Sequence, residues 1–153
     1  MWLTLAQWLQ IIGVVIAILT FWKTLDEYIK QGASKRAEQY LEMRNKLRGN
    51  QHFVRICNLL ENDDPQLRDI PLIEKDNFIA FYEDLILLWN SGIFSDHIVF
   101  YSFGYYALTC WRSENFWSSL NKYQQGWAYF REFVSRMEKI EKNFKPSRRK
   151  YKL

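Results

Sequence analysis

The first feature of the chain is a long stretch without charge. From Trp2 to Trp22 no Asp, Glu, Lys or Arg interrupts a run dominated by Leu, Ile, Val and Trp. Twenty residues of α-helix rise about 30 Å, the thickness of a bilayer's hydrocarbon core. Trp2 and Trp8 lie toward one end of the run, and Phe21 and Trp22 at the other, where an aromatic belt belongs. The pattern predicts a transmembrane helix over 1–22. A cleavable signal peptide is the competing reading, but it needs basic residues before the run and small residues at a cleavage site after it. Here no Lys or Arg precedes the run, and Phe21-Trp22-Lys23 closes it.

One face of this helix differs from the rest. Ala6, Gln10, Gly13, Ala17 and Thr20 fall at helical spacing and make a stripe of small and polar side chains. Small residues let two helix backbones approach closely, and a glutamine in lipid needs a hydrogen-bonding partner. The stripe predicts a seam for self-association, with homo-oligomers as the outcome. The plainer reading is a lone helix that tolerates one glutamine near its end, and a Gln-lined pore is a third.

Beyond Lys23 the pattern turns amphipathic. Residues 23–49 read as a membrane-proximal stalk, with Ala37, Tyr40, Leu41 and Leu47 as a narrow apolar stripe and Gly49-Asn50 as a stop. The pattern fits one helix or two. Residues 50–145 read as a helical domain. Gln51 to Glu61 places Phe53, Ile56, Cys57 and Leu60 on one side, and Pro65 closes it. Asp76 to Asn90 is apolar almost all round, as a buried central helix would be, with Asp76 as a cap and Ser91-Gly92 as a stop. Glu83 and Asp84 in its middle argue against a second span, and suggest ion pairs to Arg44, Arg55 or Arg112.

A further helix is expected from Ser95 or Asp96 to Trp111, its uncharged run too short for a bilayer. Gly104 inside it suggests close approach of another backbone. A last helix is expected from Ser113 or Glu114 to Pro146. In it Phe116, Leu120, Tyr123, Trp127, Phe130, Val134 and Met137 keep heptad spacing. Residues 146–153 read as a basic tail. The fold class expected is therefore all-α: one N-terminal transmembrane helix followed by a small helical bundle.

Charge sharpens the picture. The net charge is +4, but residues 23–55 carry 8 basic and 4 acidic side chains, 56–119 carry 3 and 10, and 120–153 carry 10 and 3. No Lys or Arg lies N-terminal to the apolar run, whereas Lys23, Lys30, Lys35 and Arg36 follow it. The positive-inside rule then predicts a cytoplasmic C-terminal domain. Arg44, Lys46, Arg48 and Arg55 cluster around the expected stop at Gly49 and are the candidate ligand-binding residues, for an anionic ligand. The plainer readings are pairing with Glu38, Glu42 and the acidic middle of the chain, or attraction to anionic lipid. No DNA partner is expected.

Catalytic signatures do not emerge. The sequence holds no glycine-rich phosphate loop, no His-Glu-x-x-His, no Cys-x-x-Cys and no nucleophile elbow. Its histidines, His52 and His97, fall near expected helix ends. Its cysteines, Cys57 and Cys110, sit in apolar runs and read as buried free thiols. No enzyme activity, metal or cofactor is expected.

The segment from Asp76 through Gly92, with Phe100 through Trp111, resembles an uncharacterised family of bacterial single-pass membrane-anchored helical proteins. Glu83, Gly92, Gly104, Tyr105, Tyr106 and Trp111 carry that likeness. The layout of membrane helix and basic cytoplasmic domain is also similar to the small membrane effectors of type III CRISPR defence. That resemblance implies a bacterial inner-membrane location and an oligomer that binds a cyclic oligoadenylate second messenger and perturbs the membrane in antiviral defence. The alternative is a membrane-tethered protein–protein interaction scaffold.

Overall fold

The computed structural model describes residues 4–143, with the side chains of Leu5 and Ala6 outside the description. No strand occurs among the described residues. The chain divides into two compact units, Met1–Glu38 and Gln39–Leu153.

The first unit is formed by the leading part of α1 (Leu5–Gly49), which runs unbroken through the stretch where the sequence fitted one helix or two. Its start is specified locally. The Gln7 side chain accepts from the Thr4 backbone N–H at 2.8 Å, which occupies one of the donors a helix start leaves open. Thr20 and Thr24 turn their hydroxyls back onto the carbonyls of Ile16 and Thr20, at 2.8 and 2.9 Å, so neither needs a partner outside the helix. Among the described residues, the stretch Gln7–Gly49 is long and apolar enough to cross a membrane, and its most apolar part is not buried against the protein.

The second unit is a helical bundle around α3 (Leu72–Asn90). Phe78, Ile79, Phe81, Tyr82, Leu85, Ile86 and Trp89 of α3 are buried. Against them packs α7 (Ala128–Asn143), through Phe130, Phe133, Val134 and Met137. The last turns of α1 add Met43 and Leu47 to this core, and α2 (Gln51–Leu60) adds the four residues its apolar face predicted. Asn50 caps α2 by accepting from the backbone N–H groups of His52 and Phe53.

Helix α3 starts at Leu72, and Asp76 is not its cap. The Pro71 carbonyl takes the first turn's N–H groups from Glu74 and Lys75, and proline is tolerated at a helix start because it has no N–H to satisfy. The other end behaves as expected. Gly92 adopts a left-handed φ of +77°, and the Gly92 and Ile93 N–H groups return to the carbonyls of Trp89 and Leu88.

The helix expected from Asp96 is present as α4 (Asp96–Val99), a π-helical turn (Phe100–Gly104) and α5 (Tyr105–Arg112). Gly104 does permit a close approach, but of a side chain. A Cβ there would lie 3.0 Å from Met137 Sδ.

The last expected helix is broken in two. Helix α6 (Glu114–Trp117) ends after one turn, and only after a 3-10 turn at Gln125–Trp127 does α7 begin. Local hydrogen bonds compete with the helix in between: Ser118 Oγ donates to the Asn115 carbonyl, and Asn121 Oδ1 accepts from the Tyr123 N–H. The heptad spacing therefore crosses a break. Phe116, Phe130, Val134 and Met137 reach the core, Leu120 and Trp127 are half-buried, and Tyr123 is 69% exposed.

Candidate functional site

The four basic residues singled out by sequence do not form one cluster. Lys46 leaves the group: its ammonium lies 3.2 Å from Asp84 of α3 and over the Phe81 ring. Both charges of that pair are about half exposed, so it fixes the side chain's direction with little energy. Arg44 is half-buried, one helical turn before Arg48. Arg48 and Arg55 both line a shallow depression of about 410 Å³ where the end of α1 meets α2.

The rest of that depression was missed in the sequence. Gln51 and Asn58 of α2, with Gln66 of the following turn, add amide groups, and Val54 and Leu59 give it an apolar floor. The signal was present in α2. Gln51, Arg55 and Asn58 recur at helical spacing on the side away from its apolar stripe. A polar stripe of this kind reads as solvated surface until a second element approaches it.

Among the described residues, the other arginines of this unit are engaged. Arg68 Nε donates to Asn115 Oδ1 at 2.6 Å, and Arg112 pairs with Glu141 at 2.6 Å. Arg131 donates to the Gln124 carbonyl, and Arg136 stacks 3.5 Å over the Trp89 ring. Arg44, Arg48 and Arg55 form no ion pair among the described residues, so the pairings expected for Arg44 and Arg55 with Glu83 or Asp84, and for Arg112 with either, do not occur.

Glu83 has a different task. Its carboxylate accepts from the Phe130 N–H in the first turn of α7 at 3.4 Å. Burial pushes its pKa up, and the Phe130 N–H acts against that shift. His52 Nδ1 sits 3.0 Å from Glu74 Oε2.

The two thiols are buried and free, as their apolar surroundings implied. Burial raises the Cys57 pKa to about 12 and pushes Cys110 well up, so both stay protonated and unreactive. Lys75 is the one fully buried cation among the described residues. Its ammonium donates to Ser119 Oγ at 3.0 Å and lies over the Phe116 ring, and burial lowers its pKa. Among the described residues no group of three or more His, Cys, Asp or Glu side chains could hold a metal ion.

In the membrane-like stretch, Gln10, Gly13, Ala17 and Thr20 are exposed, and a Cβ at Gly13 would meet nothing within 4 Å. The side chain of Ala6 lies outside the described residues, as does the basic tail over 146–153.

No protein-family model matches the chain, and no curated protein or solved structure is similar to it.

Proposed function

We propose that this chain is a single-pass membrane protein of the bacterial inner membrane, whose cytoplasmic helical domain responds to an anionic ligand without catalysing a reaction. The observation that carries the anchor is exposure. Leu9, Ile12, Val14, Ile16, Leu19, Phe21 and Trp22 are each 50–65% exposed in a helix with no charge before Lys23. Apolar surface on this scale, all around one helix, calls for a bilayer or another apolar partner. The basic residues that follow favour a cytoplasmic domain by the positive-inside rule. The stripe of Gln10, Gly13, Ala17 and Thr20 is the surface through which copies would assemble.

The ligand half of the reading rests on Arg48 and Arg55, which share a depression and are free of ion pairs to the described residues. In an oligomer, each copy would repeat that charge close to the others. A cyclic oligoadenylate, the messenger of the effectors that the layout resembles, is the probe of choice. Binding would act on the membrane helices only by favouring one of their packings over another.

The interaction-scaffold reading draws on a separate observation. Tyr101 and Tyr105, on the π-helical turn and the helix after it, are 73% and 60% exposed. Aromatic residues of this kind anchor protein interfaces.

The test of the anchor is extraction. The full chain should stay with the membrane fraction through alkaline carbonate, and a reporter fused after Leu153 should be active in the cytoplasm. Release by carbonate, or a reporter active only in the periplasm, would remove the membrane-effector reading.

A further inference from the structure

The Arg48–Arg55 depression has a composition that narrows its ligand. We infer that it is a binding site for one phosphate ester per chain, of about single-nucleotide size, held by its phosphate between the two guanidiniums. The inference rests on the anionic-ligand reading and makes it specific.

Three features support it. First, the arginines are available. Arg68, Arg112, Arg131 and Arg136 of the same unit are tied to partners within the protein, whereas Arg48 and Arg55 have no ion pair among the described residues. Guanidinium presents a rigid fork of donors that matches phosphate oxygens, so two of them on one depression make a bidentate cradle.

Second, the remaining walls are not those of a simple ion site. Gln51 and Asn58 each offer a donor and an acceptor, suited to a base edge or a sugar hydroxyl, while Val54 and Leu59 form an apolar floor on which a flat or aliphatic body can lie. A bare anion would leave that floor unused.

Third, the backbone does not supply the cradle. The first N–H groups of α2 are already taken, because Asn50 Oδ1 accepts those of His52 and Phe53. The charge recognition therefore falls on the side chains of Arg48 and Arg55. The depression, about 410 Å³ and open to solvent, has room for one nucleotide-sized unit. A larger cyclic ligand would engage this site one phosphate at a time, from several subunits.

Such a phosphate ester has two natural sources, a soluble nucleotide or the headgroup of an anionic lipid. The experiment separates them. Full-length protein in maltoside detergent is titrated calorimetrically with AMP, with a cyclic tetra-adenylate, with adenosine, and with short-chain phosphatidylglycerol against phosphatidylcholine. Saturable binding of a phosphate probe, at one phosphate group per chain, is expected, with none for adenosine. R48Q and R55Q should each weaken that binding about tenfold or more, the effect of losing a charge-assisted hydrogen bond. R44Q, outside the depression, should change it less than about twofold by the same scale. Val54→Glu leaves both arginines in place and should abolish binding by putting a carboxylate in the floor.

Binding of AMP or the cyclic tetra-adenylate assigns the site to a soluble ligand, and binding of phosphatidylglycerol alone assigns it to lipid. Either supports the shared chemistry. Phosphate binding that survives R48Q combined with R55Q, or that falls equally with R44Q, overturns this site and leaves the anionic-ligand reading standing. Failure of every phosphate probe overturns both, while carbonate extraction judges the membrane anchor separately.

Discussion

Trp89 and Trp127 look equivalent in the sequence, each on an apolar helical face, and the structure makes them unequal. Trp89 is 3% exposed. Its ring packs edge-on to Phe133 at 5.6 Å, carries the Arg136 guanidinium on its face at 3.5 Å, and donates through Nε1 to Asp96 at 2.9 Å. Trp89→Ala removes that buried volume at about 3–5 kcal/mol. It also removes the Nε1 hydrogen bond to Asp96, which adds only about 0.5–1.5 kcal/mol because Asp96 is largely exposed and Arg136 keeps its contacts with Asn90 and Asp96. A domain of this size holds about 5–15 kcal/mol, so the variant should lose a large share of its stability.

Trp127 is half-buried at the 3-10 turn before α7, and its Nε1 has no hydrogen-bond partner among the described residues. Its removal gives up less area and relieves one unsatisfied donor, and should cost about 1–2 kcal/mol. The assay is urea unfolding of the full chain in detergent. It is followed by near-ultraviolet dichroism, which reports tertiary packing of the aromatic-rich second unit rather than the helix content of α1. Equal midpoints for the two variants, or a Trp89→Ala loss under about 1 kcal/mol, would mean that the α3–α7 contact does not hold the bundle together.

Further outcomes follow from the same interior. Cys57 and Cys110 have folded-state pKa values raised by burial, Cys57 to about 12. The unfolded chain loses those protons first, so the stability they confer is complete below about pH 8.5 and declines above it, by about 1.4 kcal/mol per pH unit for each thiol. Lys75 works in the opposite direction, since burial lowers its pKa and the unfolded chain then holds the extra proton. Two thiols outweigh one lysine, so urea midpoints should fall from pH 8.5 to 10. In Cys57→Ala combined with Cys110→Ala the fall should be much smaller, because only Tyr82 and Tyr106, whose pKa values burial also raises, then oppose Lys75, and an unchanged slope in that variant would refute burial as the cause. Asp63 sits at a positive φ of 46° and its carboxylate accepts from Ser113 Oγ and from the Glu114 and Asn115 N–H groups. Asp63→Ala should cost about 2–4 kcal/mol by denaturation, from backbone strain together with a lost helix cap. Asp63→Asn should cost less than half of that, and equal losses would show that neither the strain nor the cap geometry matters.

The features the sequence determined by itself are those whose signal lies within a few turns of chain. The uncharged run to Trp22 reads as a long apolar helix because hydropathy is a sum over neighbours. The buried face of α2 follows from the positions of Phe53, Ile56, Cys57 and Leu60, all buried as spaced. The stop at Gly92 was legible because few residues tolerate a left-handed φ. Tertiary structure decided whatever depended on a partner distant in the chain. Spacing could not show that Lys46 would turn to Asp84, 38 residues away, and so leave the basic cluster. Nor could it show that Glu83 would reach the first turn of α7 across 47 residues, or that Asp63 would hold the start of α6. The break between α6 and α7 escaped for a related reason. Heptad spacing continues through any loop whose length happens to match, and only packing reveals that Trp117 turns inward to donate to the Cys110 carbonyl at 2.8 Å. Of the candidate site, Arg48 and Arg55 were visible as charge, but the depression they both line, over the floor of Val54 and Leu59, exists only where the end of α1 folds against α2. Periodicity determines which face of a helix is apolar, and the approach of another element determines what its polar face becomes.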